Sequence, residues 1–120
     1  MVSIAAYYLV VLGVLHVLFG LVRFRTPLRE ALREGFIGRF GENDARRLAF
    51  WFIMVGPLLS LLGLSASHAL GGGDMELILM MGATLLIASV IGVLAFPASP
   101  LWGLIPPALI FVLGGLGLVA

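Results

Sequence analysis

Few side chains in this 120-residue sequence can do chemistry. There are two histidines, His16 and His68, six acidic residues and no cysteine. The missing thiol removes disulfides, thiol redox chemistry and thiolate metal ligation. With no carboxylate at depth in the apolar runs either, a protein-only zinc or di-iron site lacks a ligand set, and no metal is expected. His16 stands out because it interrupts an apolar run that ends at Arg23, about 10 Å further along a helix. Gly13, Gly20 and Arg23 share its stripe at i−3, i+4 and i+7, so the imidazole is expected to face other helices. A ring at such depth needs a hydrogen-bond partner.

Counting the same depth along the other apolar runs reaches Met54, Ser89 and Pro106–Pro107. Prolines 57, 106 and 107 withhold amides, which frees the carbonyls of Ile53, Trp102 and Gly103. A polar layer of His16, Ser89 and freed carbonyls is therefore expected. Two readings of it stay open. In one, His16 bonds across helices and fixes their register. In the other, it binds a quinone or lipid headgroup whose polar end points toward Arg23, Arg46 and Trp51, with Arg47 and Ser89 as further candidate ligand-binding residues. Haem, the other cofactor to weigh, would need His16 from two copies of the chain. His68 lies about 20 Å from His16 along the helix axes and is expected at the opposite rim.

Other chemistry is missing. No acidic or basic residue lies in the middle of an apolar run, Glu76 standing at the very start of the third, which argues against proton-coupled transport and voltage sensing. No phosphate loop, nucleophile elbow or catalytic carboxylate pair occurs, and Gly71–Gly72–Gly73 reads as a turn. No catalytic residue is assigned. The expected role is a non-catalytic structural or accessory subunit of a membrane assembly, with quinone or lipid-headgroup binding as the alternative.

The elements that must position these residues follow from composition. Hydrophobic residues make up 62% of the chain, charged residues 11%, and mean hydropathy is +1.20. A soluble domain carries about 25% charged residues, so the expected class is all-α, an integral membrane up-down four-helix bundle in one domain. Spans are expected over 3–22, 48–70, 75–96 and 101–120. Asp74 should cap the third span, Tyr7 and Tyr8 should lie at the outer interface, and Trp51 and Trp102 at the inner one. Between the first two spans, Thr26 and Pro27 can open a helix. Leu28, Leu32, Phe36 and Phe40 then repeat every four residues. This predicts an amphipathic interfacial helix over 27–40 beside anionic lipid. All seven basic residues are arginines between Arg23 and Arg47, which puts that loop in the cytoplasm and both termini outside. Interleaved acids speak against nucleic acid. The expected partners are the bilayer and a homo-oligomer or larger membrane complex. Glycine and serine pairs spaced by seven (Gly13/Gly20, Gly56/Gly63, Gly82/Ser89) mark stripes for close helix approach.

At GVLHVLFG (13–20) and RRLAFWF (46–52) the sequence resembles small bacterial four-span membrane proteins of unknown function, distantly similar to the DoxX-like group. The resemblance implies a four-helix bundle in the bacterial cytoplasmic membrane and an association with membrane redox or quinone chemistry. Cysteine-dependent activities do not carry over, because this chain has no cysteine.

Overall fold

The computed structural model describes residues 1–120 and contains helices and turns only. Five α-helices follow one another: α1 (Val2–Arg23), α2 (Arg25–Arg33), α3 (Asp44–Gly71), α4 (Met75–Ala95) and α5 (Ile105–Gly115). A 3₁₀ segment (Pro100–Leu104) leads into α5. Three helices, α1, α3 and α4, are long and apolar enough to cross a membrane. The fourth expected span is interrupted instead. Residues 101–120 form part of the 3₁₀ segment, an eleven-residue α5 and a terminal turn. Proline explains the break: Pro106 and Pro107 occupy the first turn of α5, where a missing amide breaks no intrahelical bond.

Three of the five helices, α2, α3 and α5, end in one device. At the end of α2, the Phe36 amide donates to the Ala31 carbonyl (2.8 Å) and Gly35 to Leu32 (3.2 Å). Asp74 with Ala69 and Gly73 with Leu70 repeat the pattern after α3, and Leu118 with Leu113 and Gly117 with Gly114 after α5. These are Schellman closures, and the left-handed residue in each is a glycine: Gly35, Gly73 or Gly117. The first closure corrects the expected interfacial helix, which stops at Arg33 rather than Phe40. Its start also differs. Only Phe24 separates α1 from α2, and it caps α2 without a side-chain bond. Thr26 and Pro27 are already inside the first turn. The Asp74 cap is present, its carboxylate accepting from the Leu77 amide at 3.1 Å.

Packing divides the chain into two compact units, residues 1–10 with 61–120 and residues 11–60. In the first unit, α4 and α5 lie against each other through glycine. A Cβ on Gly82 would stand 2.6 Å from the Val112 nitrogen and 2.7 Å from the Phe111 Cβ, and Phe111 is fully buried. Gly115 meets Leu79 in the same way, and Gly63 packs on the Ala6 carbonyl and Val10. The Tyr8 hydroxyl donates to the Gly103 carbonyl at 2.8 Å. Tyr8 thus anchors the 3₁₀ segment beside the first part of α1. Of the two carbonyls expected to be freed there, Gly103 is satisfied by Tyr8 and Trp102 by the Ile105 amide. The Trp102 indole donates to Pro97 (2.8 Å). The Met1 ammonium donates to the Ala120 carbonyl at 2.7 Å, so the two ends of this unit meet.

In the second unit, residues 11–23 of α1 and 44–60 of α3 approach through Gly13 and Gly56. A Cβ on Gly13 would collide with Ser60 and the Gly56 carbonyl, and one on Gly56 with Val17 and the Gly13 carbonyl. Glycine therefore sets the helix separation here, as the stripes predicted. Such close approach is the packing that suits helices inside a bilayer, where van der Waals contact replaces the hydrophobic drive.

Candidate functional site

His16 and the arginine-bearing segment both lie in the second unit. The His16 Nε2–H donates to the Phe52 carbonyl at 2.8 Å. A carbonyl only accepts, so Nε2 carries the proton in this arrangement. The ring also stacks on the Phe52 ring, with centroids 4.0 Å apart and planes 19° apart. Phe19 and Phe24 lean on Phe52 at 5.9 and 5.1 Å. The imidazole is half-buried.

The partner is a backbone carbonyl of α3 one residue before the Ile53 carbonyl that Pro57 frees. Depth counting reached the right turn of α3, but neighbouring residues of a helix differ by about 100° in direction. For the same reason Trp51 is not part of this cluster. It is exposed and rests edge-on against Phe50 at 5.2 Å. The Ser89 hydroxyl donates within its own helix, to the Leu85 carbonyl at 2.6 Å. His16 and Ser89 thus each have a partner inside their own unit. Haem ligation through His16 Nε2 would require giving up the Phe52 carbonyl.

The arginines fall into different roles. Arg46 is 6% exposed. Its Nη2 pairs with Glu34 and lies 3.5 Å from Glu30 Oε2, and its Nη1 donates to the Arg39 carbonyl at 3.2 Å. One side chain thus joins α2, the 34–43 loop and the start of α3, leaving only its Nε unpartnered. Arg46 is positioned by an N-cap that the sequence reading missed. Asn43 Oδ1 accepts from the Arg46 amide at 2.9 Å, and an Asn ahead of an acidic first turn was the signal for it. The hydrogen bond from Arg46 holds the Glu34 carboxyl below the usual carboxylate range; burial opposes that shift, and the charges of Arg46 and Arg39 add to it. Arg47 pairs with Asp44 (3.0 Å) and donates to the Gly41 carbonyl. Arg23 is exposed and lies over the Phe24 ring at 5.4 Å. Of the six residues singled out from sequence, the five within residues 11–60 make no bond or ring contact with one another. Phe52, Phe24 and Glu34, which were not singled out, hold the contacts.

No group of three or more His, Cys, Asp or Glu side chains is placed to hold a metal ion. The family comparison is decisive for kinship: the family of unknown function DUF6463 matches residues 2–116. The chain belongs to DUF6463. Comparison with curated proteins and with solved structures finds no match. Membership in DUF6463 upholds the unknown-function part of the expected resemblance, and nothing in it leads to the DoxX-like group or to bacteria. In this DUF6463 chain the match runs through α1 to α5, so it includes His16, the arginine segment and the glycine-packed helices.

Proposed function

We propose that this DUF6463 chain is a multi-pass membrane protein with a non-catalytic role, a structural or accessory component of a membrane assembly. The observation that carries this reading is the engagement of His16. Its donor nitrogen is bonded to a backbone carbonyl of another helix while its face is covered by Phe52. That arrangement holds α1 and α3 in register and leaves no donor for a substrate. Apolar side chains on the long helices, such as Ile4, Val22 and Leu94, are exposed to 68% or more, which suits lipid or a partner helix rather than water.

A fourth crossing is part of the proposal. The five-residue 3₁₀ segment at about 2.0 Å per residue and the eleven-residue α5 at about 1.5 Å together reach about 27 Å. A hydrocarbon core is about 30 Å thick. The bond between Met1 and Ala120 favours an even number of crossings. The arginine loop would then face the cytoplasm and both ends the other side, in the cytoplasmic membrane if the source is bacterial.

The quinone or lipid-headgroup reading keeps one supporting observation. With Nε2–H committed, Nδ1 of His16 is an acceptor without a partner in the chain, suited to a hydroxyl donor such as a quinol. Replacing His16 by alanine separates the two. Reduced thermal stability with unchanged co-purifying lipids and quinones supports the structural role. An unchanged melting temperature with loss of a co-purified quinone or lipid supports the site.

A further inference from the structure

The charges between residues 23 and 47 separate into two groups. Glu30 and Glu34 are paired with Arg46, Glu42 with Arg39 and Asp44 with Arg47. Three arginines and four acids leave this group at −1. The other four arginines, Arg23, Arg25, Arg29 and Arg33, are exposed and make no ion pair or hydrogen bond within the chain. They carry +4.

Their placement is regular. Arg25, Arg29 and Arg33 recur every fourth residue of α2, so they share one face at steps of about 6 Å. Buried Ala31 marks the opposite face. Guanidinium forks match phosphate oxygens. The same segment exposes apolar side chains: Leu32 of α2 at 62%, and Phe36 and Ile37 just after it at 52% and 87%. Free cations and exposed apolar residues in one short segment, directly after a helix long enough to span, suit a membrane surface. A soluble polyanion would use the cations and leave the apolar residues in water.

We propose that Arg23, Arg25, Arg29 and Arg33 form a docking face for the phosphate groups of anionic phospholipids, with Ile37 and its neighbours seated at the acyl boundary. The inference rests on the membrane reading above. The test is native mass spectrometry of the full chain in detergent, titrated with phosphatidylglycerol or with phosphatidylcholine of the same acyl chains. Phosphatidylglycerol is expected to bind preferentially, with each arginine contributing about fivefold. The variant R25Q/R29Q/R33Q should lose most of that preference and R29Q alone about fivefold. R39Q/E42Q, which removes a paired arginine together with its acid, should keep it, and millimolar inorganic phosphate should not displace the lipid. Equal binding of the two lipids, an unaltered preference in the triple and R29Q variants, or displacement by free phosphate would overturn the proposal. The single variant decides if the triple does not fold. Extraction by alkaline carbonate tests the membrane reading separately: release refutes that reading, while retention without lipid preference refutes only this inference.

Discussion

The two compact units bond their polar side chains over different distances in the sequence. In residues 1–10 with 61–120, side-chain polar groups mostly bond close by in sequence: Ser89 to Leu85, Trp102 to Pro97, the Leu101 amide to Ser99. The tight contacts there are between glycine and apolar side chains or backbone. In residues 11–60, polar groups reach across elements, with His16 meeting Phe52 and Arg46 meeting α2 and the loop. Local bonding leaves helix register to shape, whereas long-range bonding sets register by chemistry. The half-buried His16 and the buried Arg46 both lie in residues 11–60, where they tie separate elements together. Tyr8 is the exception in the first unit, since its bond to Gly103 spans 95 positions.

That contrast can be broken by substitution. The largest effect is expected where shape alone acts. Gly82→Leu must force α4 from Phe111 and Val112, costing about 1–3 kcal/mol, seen as a lower melting temperature in detergent. A melting temperature equal to the parent's would show that α4 and α5 can separate freely, and the shape argument would fail. Next comes His16→Ala, which removes one interhelical hydrogen bond and a stacked ring. Membrane hydrogen bonds are worth about 0.6 kcal/mol on average and up to about 1.7, and stacking adds to this. A loss of about 1–2 kcal/mol is expected, with His16→Phe recovering only the stacking part. Tyr8→Phe should cost about 0.6 kcal/mol by the same bond value. If it costs more than His16→Ala, the division between the units is drawn in the wrong place.

The smallest effect is a pH dependence confined to the second unit. Glu34 is held below its ordinary value, so its ionised form is favoured in the folded chain. The resulting stability is fully present above the unfolded-state value of about 4.3. It declines as pH falls toward the lowered folded value. Thermal melts between pH 7 and pH 3 should show this decline in the parent and less of it in Glu34→Gln. Parallel curves would remove the Glu34–Arg46 pair from the account.

The long helices were legible because uninterrupted apolar runs admit few other structures, and Asp74 was legible as a cap because it sits directly before such a run. His16 and the glycine stripes were legible by spacing, since residues three, four and seven apart share a face. The partner of His16 was not. A depth count gives a turn of α3, but Phe52, Ile53 and Met54 point in different directions from that turn. The expected helix over 27–40 failed for a local reason. Leu28, Leu32, Phe36 and Phe40 keep helical spacing, but Gly35 offers a left-handed closure that ends the helix after Arg33. By sequence Arg46 fits a headgroup ligand, as a cation where a long apolar run begins. Its burial against Glu30 and Glu34 depends on how the loop folds back, which periodicity does not encode.

Phe36 adds a consequence of its own. It is the one non-glycine residue with positive φ, at 67°, and its ring is half-exposed while meeting Phe40 edge-on at 5.3 Å. A bulky side chain in that conformation costs about 1–2 kcal/mol relative to glycine. Asparagine or glycine at this position should make the loop sturdier while removing an aromatic ring from its outer side. Stability and surface engagement are therefore opposed at this residue, and selection for a tougher protein in detergent would be expected to discard the ring first.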